Sequence, residues 1–363
     1  MATLPLARRS ADAGHAEALF RYVIEAARQP RDDWSAYREP RFAAGNFGLR
    51  FQIAFHGYAL VALGERLGVP REEIGPALGG LIDRFLHPTV WRYWLVRGAT
   101  LDPVYPHNIQ YSGHLGQLIG LYERLTGDDR FDRPYVLDDG AASRHEYTHG
   151  GVIDAIARQM AANPCHGVTC EPGNVYVACN VHGALALLLH DAAHGTNHRS
   201  LIDAWNAWVR RRMLRRRGGI FQVAYLSERD VVIPVNVRVM DAWSMAFLSP
   251  VDPALFDEMY PRFRRELRWQ GDVASLPARW PNALLEISDE ALNSAFAFVA
   301  AREAGDEESA AGLRRYAANR LGLAERGARA ACWSAPFPLL VTALYALGEG
   351  LTPGAMRRWG AAA

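Results

Sequence analysis

Two cysteines, Cys170 and Cys179, are the residues of this sequence whose types and spacing most favour chemistry. Pro172 and Gly173 lie between them, and neither residue type is comfortable inside a helix. We therefore expect Cys170 on a loop and Cys179 in the first turns of the following helix, with both thiols facing one cavity. Because a helix N-terminus stabilises a thiolate, one sulfur could act as base or nucleophile while the other donates a proton.

Packing is the first alternative for this pair, since free cysteine is among the most buried residue types. Metal binding is the second, because Cys165, His166 and His182 flank the pair. Structural zinc sites usually bring their ligands in close pairs along the chain. The three cysteines Cys165, Cys170 and Cys179 lack that spacing, so we expect no metal here.

Another histidine group, His190, His194 and His198, recurs every four residues and could share one helix face. Gly195 and Thr196 interrupt this run, so we expect a solvated helix end.

A further candidate is His114, which follows a polar segment. Asp102, Asn108 and Ser112 are residue types that satisfy backbone donors near a helix start. Gly113, next to His114, leaves space for a ligand or for a neighbouring backbone. A histidine at this position could move a proton near neutral pH, and a core histidine with satisfied hydrogen bonds is the alternative.

The elements that must position these residues read as helices. Apolar residues recur at three- and four-residue spacing in segments that end in glycine. The glycines at these ends are Gly68, Gly127, Gly195, Gly305 and Gly348. The best strand-like run is residues 231–239, which we expect to be a hairpin or an extended loop. The pattern predicts one all-helical domain over residues 1–363, either an open solenoid or a closed barrel of about six helix pairs.

Composition excludes several classes of protein. Half of the residues are hydrophobic, and forty basic residues balance thirty-nine acidic ones to a net charge of +1. No global field would draw such a chain to nucleic acid or to an anionic membrane, so we expect a small-molecule substrate. We read no signal segment in residues 1–20 and no membrane span, and therefore expect a cytoplasmic protein with reduced thiols. The composition is compatible with a homo-oligomer.

Several short sequence motifs, in the same order along the chain, resemble those of the linalool dehydratase/isomerase family. The motifs span residues 50–54, 91–94, 102–103, 108–114, 170–172 and 179–180. The resemblance implies an (α/α)6 barrel, no metal or organic cofactor, and dehydration, hydration, isomerisation or a related cyclisation of a small unsaturated, terpenoid-like alcohol. It also implies that Cys170 and Cys179 are the family's cysteine pair, that His114 is its active-site histidine, and that Tyr176 is an aromatic residue of its cavity wall.

The sequence departs from the family at three positions. Ala43 and Leu49 stand where the family has an aspartate and a tyrosine that handle the substrate hydroxyl, and Gln110 stands where we expect an apolar cavity residue. We therefore expect a related proton-transfer reaction on another substrate, in specialised metabolism.

The resulting hypothesis is an enzyme with an enclosed apolar cavity. Its catalytic residues are Cys170, Cys179 and His114. The expected substrate-binding residues are Tyr176, Tyr111, Gln110, Phe55 and Trp243. Glu146 and Glu171 are weaker candidates for carboxylate partners. The competing hypothesis is a non-catalytic helical scaffold or a carbohydrate-binding toroid, although we find no acidic pair that would serve glycoside hydrolysis.

Overall fold

The computed structural model describes residues 11–37, 48–97, 100–278 and 290–361, and these residues form a helix-rich fold. The predicted apolar spacing produces fourteen α-helices in this part of the chain. They are α1 (Ala11–Ala27), α2 (Leu49–Leu67), α3 (Arg71–Phe85), α4 (Pro88–Trp91), α5 (Tyr93–Arg97), α6 (Ile109–Thr126), α7 (His149–Ala162), α8 (Val177–His194), α9 (Arg199–Arg212), α10 (Arg238–Leu248), α11 (Pro253–Arg264), α12 (Glu290–Ala304), α13 (Glu307–Leu321) and α14 (Pro338–Gly350).

Six helices pack against one another in a closed circuit. Helix α2 packs on α6, α6 on α8, α8 on α10, α10 on α12, α12 on α14, and α14 returns to α2. Each of α1, α3, α7, α9, α11 and α13 packs against members of this circuit. The circuit helices are buried on nearly all sides, and α8 is buried without a break over residues 177–190. Their near-uniform burial is typical of core helices.

The strands form four small antiparallel sheets in the described residues. The strands are β1 (Tyr135–Asp138), β2 (Arg144–Tyr147), β3 (Asn174–Val175), β4 (Ala224–Leu226), β5 (Val231–Ile233), β6 (Arg268–Gln270), β7 (Val273–Ser275), β8 (Leu323–Arg326) and β9 (Arg329–Cys332). β1 pairs with β2, β6 with β7 and β8 with β9, while β4 lies between β3 and β5. In the central sheet Val175 pairs with Tyr225 and Tyr225 pairs with Val232. The run over residues 231–239 is therefore a strand only in its first part, and its end already belongs to α10.

The predicted glycine ends are confirmed at four helices. Gly68, Gly127, Gly195 and Gly305 each follow the last helical residue and have φ between 64° and 74°. This left-handed conformation is readily adopted by glycine. The end predicted near Gly348 is correct to within two residues, but Gly348 itself is not the end, because α14 continues to Gly350. A Cβ atom on Gly348 would lie 2.5 Å from the ring of Phe298, so this glycine serves helix packing.

No helix in the described ranges is long and apolar enough to cross a lipid bilayer.

Candidate active site

A tight turn and a helix start bring the two cysteines together. The backbone N–H of Cys170 donates to the carbonyl of Asn174 at 2.7 Å, and Gly173 within this turn has φ 80°. Cys179 is the third residue of α8, after Tyr176 at the N-cap. The predicted break between the thiols is therefore present, with Cys170 on a turn and Cys179 on the first turn of a helix.

The thiols of Cys170 and Cys179 are neighbours, close enough for Cys179 to act on the pKa of Cys170. Both side chains are buried, with 1% and 3% of their surface exposed. Burial raises the pKa of the Cys170 thiol well above its usual value, the neighbouring Cys179 and Glu171 raise it further, and Gln110 opposes the shift. At neutral pH Cys170 therefore holds its proton.

A buried arginine, Arg50, lies beside the thiol pair. It belongs to the first turn of α2, is fully buried, and donates from Nη2 to Oε1 of Gln110. Its guanidinium carbon lies 4.2 Å from the ring centre of Phe51 and 4.1 Å from that of Tyr93. Burial lowers the pKa of Arg50, and the nearby acidic groups, which include Tyr93, Glu171 and both thiols, oppose that shift. The result is a fixed positive charge next to the sulfurs.

Arg50 was not predicted as a site residue, because it was considered only as part of a sequence motif that resembles the family. One feature of the sequence could have indicated its role. Arg50 lies at the start of residues 49–64, a largely apolar segment, and a charged residue in such a segment is expected to have a buried partner.

An aromatic and histidine cluster occupies the core between α2, α6, α8 and α10. The rings of His114 and His182 are 4.0 Å apart between centres, and Phe55 lies 5.5 Å from His114 and from Trp243. Trp243 donates its indole N–H to Nε2 of His182 at 2.6 Å, and Nδ1 of His182 lies 2.7 Å from Oε1 of Gln117. The structure thus brings three predicted site residues, Phe55, His114 and Trp243, into one cluster.

His114 is fully buried in this cluster. Its Nδ1 lies 2.8 Å from the hydroxyl of Tyr58, and its Nε2 makes no hydrogen bond with any described residue. Burial lowers the pKa of His114 well below its usual value, and His182 and Arg50 lower it further. His114 is therefore neutral near pH 7. It contacts Phe51, which in turn lies under Arg50, so the cluster and the thiol pair are neighbouring parts of one region.

Two buried amides of the circuit helices were also missed. The side chains of Gln52 on α2 and Asn293 on α12 are fully buried, and neither side-chain amide hydrogen-bonds to a described residue. Gln52 precedes Phe55 by one turn, and Asn293 precedes Phe296, whose ring lies 5.5 Å from Trp243. Buried amides without partners are costly, so such groups are candidates for substrate recognition.

The two predicted tyrosines of the site, Tyr176 and Tyr111, lie in different surroundings. Tyr176 lies at the start of α8. Burial is the main cause of its raised pKa, and the nearby acidic groups Cys170, Glu171 and Cys179 raise that pKa further. Tyr176 therefore lies next to the thiol pair. Tyr111 points away, because its ring stacks on Phe85 of α3 at 4.9 Å and its hydroxyl donates to the Phe85 carbonyl.

Of the two carboxylate candidates, Glu171 lies beside the thiols, whereas Glu146 is exposed on β2. The expectation that Glu146 could serve the site is therefore wrong, because the β1–β2 hairpin carries it to the surface.

The polar segment before α6 differs in detail from the expectation. Asp102 does accept backbone donors, from Val104 and Tyr105, but within its own turn. Asn108 has a left-handed backbone and makes no helix cap; its side chain instead binds the Tyr93 hydroxyl and the Pro103 carbonyl.

The space beside His114 is filled by a neighbouring backbone. A Cβ atom on Gly113 would lie 2.9 Å from the backbone nitrogen of Gly183 on α8. Of the two family departures near the N-terminus, Leu49 is buried at the start of α2, and Ala43 lies outside the described residues.

The predicted solvated helix end at His190, His194 and His198 is present only in part, because residues 193–197 are exposed while His190 is buried. His190 is only 7% exposed, and its ring stacks on that of His194 with centres 4.4 Å apart. The helix does end at His194, and His149 at the start of α7 packs against His190 near this end.

These features define a helix-rich protein with a candidate acid–base site built on cysteine. The sequence model described as linalool dehydratase/isomerase matches residues 50–331 of the chain. Because the match spans well over half of the chain, the protein belongs to the linalool dehydratase/isomerase family. This is a family of enzymes, and the matched region contains the thiol pair, Arg50 and the aromatic cluster.

Proposed function

We propose that this protein is a cofactor-independent lyase or isomerase that dehydrates, hydrates, isomerises or cyclises a small unsaturated, terpenoid-like or specialised-metabolite substrate. The observation that carries the proposal is the close placement of the buried thiols of Cys170 and Cys179. Two thiols in contact can give and take protons in one reaction cycle. Membership of the linalool dehydratase/isomerase family supports the reaction class.

In this proposal Cys170 is the acid and Cys179 is the base. The raised pKa of Cys170 keeps its proton available at neutral pH. Cys179 lies in the first turn of α8, where the helix dipole favours negative charge, and Arg50 adds a full positive charge nearby.

A dehydration cycle balances with these two groups. The Cys170 thiol protonates the substrate hydroxyl, and the carbon–oxygen bond breaks with its electron pair leaving on water. The Cys179 thiolate removes a proton from the neighbouring carbon, and that carbon–hydrogen electron pair forms the new double bond. Cys170 is then a thiolate and Cys179 a thiol, so proton transfer from Cys179 to Cys170 restores the starting state. The reverse sequence adds water.

The closed circuit of α2, α6, α8, α10, α12 and α14 is, in this proposal, the inner ring of a single (α/α)6 barrel. Phe55 and Trp243 would present aromatic faces to a cationic intermediate, and Tyr176 and Gln110 would bound the substrate near the sulfurs. The unbonded Nε2 of His114 would orient the substrate oxygen. We do not include Tyr111, because its hydroxyl is occupied by the Phe85 carbonyl.

A surface cleft of about 370 Å³ is the proposed route to the thiols. It is lined by residues that include Thr169, Gly173 and Glu228, and the first two flank Cys170 in its turn. A non-catalytic scaffold would have no need to hold two thiols in mutual contact beside a buried guanidinium, and this arrangement therefore supports the enzyme over the scaffold.

The test is a turnover screen with purified full-length protein dialysed against a chelator. The substrates are small allylic alcohols, linalool among them, and the corresponding alkenes, with products followed by gas chromatography and mass spectrometry. We expect at least one substrate to be converted without added metal or nucleotide. The Cys170→Ala/Cys179→Ala double variant is the blank, and equal conversion by this variant and the wild type would refute the proposal.

A further inference from the structure

Three histidines meet at the end of α8 remote from the thiols. His149 opens α7, while His190 and His194 lie in the last two turns of α8. One potential ligand nitrogen from each ring lies within 4.8 Å of the others. Their ring centres are 5.0 Å apart for His149 and His190, 4.4 Å for His190 and His194, and 5.9 Å for His149 and His194.

Each of these rings has one nitrogen hydrogen-bonded to an oxygen partner, and Nδ1 of His194 also lies 3.7 Å from Oδ2 of Asp132. Nδ1 of His149 lies 2.9 Å from both carboxylate oxygens of Glu123, and Nε2 of His194 lies 3.0 Å from one of them. Nδ1 of His190 lies 2.9 Å from Oγ1 of Thr196. The Thr196 hydroxyl is itself a donor to Asp191, so its oxygen accepts from His190. A neutral imidazole that donates from one nitrogen carries a lone pair on the other.

The second nitrogen of His149 has no hydrogen-bond partner among the residues that the structure describes. His149 is completely buried, and its Nε2 makes no hydrogen bond with any residue in the described ranges. A buried acceptor without a hydrogen-bond partner destabilises the folded protein, because it has lost its bond to water. The ring packs among the other two histidines, so a cation bound to all three would remove that cost.

We propose that His149, His190 and His194 bind a divalent transition-metal ion of the zinc class. Imidazole nitrogen is a preferred ligand of such ions, whereas Mg²⁺ and Ca²⁺ prefer oxygen. Glu123 would act as a positioning residue, because a carboxylate that accepts from a ligating histidine fixes the ring and its tautomer.

The surroundings provide access and an open coordination position. The side chain of His194 is 27% exposed, and it lines a surface cleft of about 650 Å³ together with Glu123 and Leu189. A solvent molecule could therefore complete a four-coordinate site. His190 lies about three helical turns, or roughly 16 Å, along α8 from Cys179. The ion would join the start of α7 to the end of α8 and would take no part in the proposed proton transfers.

The test uses full-length protein stripped with a chelator, then titrated calorimetrically with Zn²⁺ and, separately, with Mg²⁺. We expect one equivalent of Zn²⁺ to bind at the histidines, no comparable binding of Mg²⁺, and a higher midpoint of thermal unfolding with Zn²⁺. The partly exposed His194 is the first target because His194→Gln is tolerated by folding more readily than a change at buried His149. We expect His194→Gln and His190→Gln to weaken Zn²⁺ binding by more than ~100-fold, and Glu123→Gln by ~10-fold to ~100-fold.

The control variants are His145→Gln and His198→Gln. His145 lies on the β1–β2 hairpin, and the His198 side chain contacts Asp191 next to the cluster. Unchanged Zn²⁺ affinity in both controls supports the three-histidine site. Absence of a Zn²⁺ signal in the wild type, unchanged affinity in His194→Gln and His190→Gln, or loss of binding in His198→Gln would each overturn the proposal. Because turnover at Cys170 and Cys179 is measured separately and without metal, failure of this site would leave the proposed reaction untouched.

Discussion

Gly113 and Gly183 meet where α6 crosses α8, and a Cβ atom on Gly113 would lie 2.9 Å from the Gly183 backbone nitrogen. The crossing is important for the candidate site because α6 supplies Gln110 and α8 supplies Cys179, each near its own helix start. The separation of the two helices therefore sets the position of Gln110 relative to the thiol pair.

The first prediction is that Gly113→Ala forces these helices apart. The added methyl group meets backbone, which cannot rotate away, so we expect a loss of about 1 to 3 kcal/mol in the free energy of unfolding. Urea unfolding measures this loss, and turnover should fall with it. Gly80→Ala is the control, since its Cβ would have no neighbour closer than 3.9 Å and it also lies inside a helix. Equal stability of the two variants would show that the crossing is not tight.

The second prediction concerns Arg50 as the positive charge beside the thiols. Removing the charge in Arg50→Gln should move the basic group seen in the pH–rate profile about 1 to 3 units toward higher pH, because an adjacent cation favours a thiolate. Arg50→Lys keeps a charge but loses the planar stacking on Phe51 and Tyr93, so it should restore the profile only in part.

The control for Arg50 is another buried arginine, Arg84, whose guanidinium binds the carbonyls of residues 29, 30, 31 and 33. Arg84→Gln should lower stability without moving the pH–rate profile. A profile that is the same for Arg50→Gln and the wild type would mean that Arg50 does not act on the thiols.

The third prediction follows from buried His182. Burial lowers its pKa from 6.5 to about 3. In the unfolded chain this histidine takes up a proton as the pH falls below about 6.5, while the folded protein resists protonation, so folding stability falls with falling pH. From about pH 7 to about pH 5 this residue alone should cost about 2 kcal/mol.

Other groups oppose the effect of His182, since burial raises the pKa of Asp241 to about 6 and that of Glu303 to about 7. The measurement is therefore a difference, between urea unfolding of the wild type and of His182→Gln across this pH range. The variant should lose about 2 kcal/mol less than the wild type. Parallel pH dependences would show that His182 titrates normally.

The extent to which the sequence predicts this molecule can be traced to particular residues. Pro172 and Gly173 interrupt helical structure between the cysteines, and local stereochemistry was enough to predict a turn followed by a helix start. The close approach of the two sulfurs depends in addition on tertiary packing. Local rules failed at Gly348, because the same residue type serves as a helix cap or as a close-packing position, and only the neighbour Phe298 distinguishes the two.

Contacts between distant segments were beyond the reach of sequence patterns. Arg50 on α2 donates a hydrogen bond to Gln110 on α6, and the orientation of Tyr111 depends on its contact with Phe85 on α3. His149 has no periodic relation to His190 and His194, so their meeting depends on how α7 packs on α8. In each case the missing information was the packing partner.

The measurement that tests the central claim most directly is the turnover of Cys170→Ser and Cys179→Ser beside Cys165→Ser. Serine keeps the approximate shape but not the acidity of a thiol, so each site variant should lose ~10²-fold or more in turnover. Cys165 is the matched control, because it is also fully buried in the segment before α8 and its thiol donates to the Gly167 carbonyl at 3.9 Å, away from the pair. Cys165→Ser should therefore retain nearly the wild-type rate. Thermal unfolding checks that all three variants are folded, and near-wild-type turnover in both Cys170→Ser and Cys179→Ser would contradict the acid–base role of the thiols.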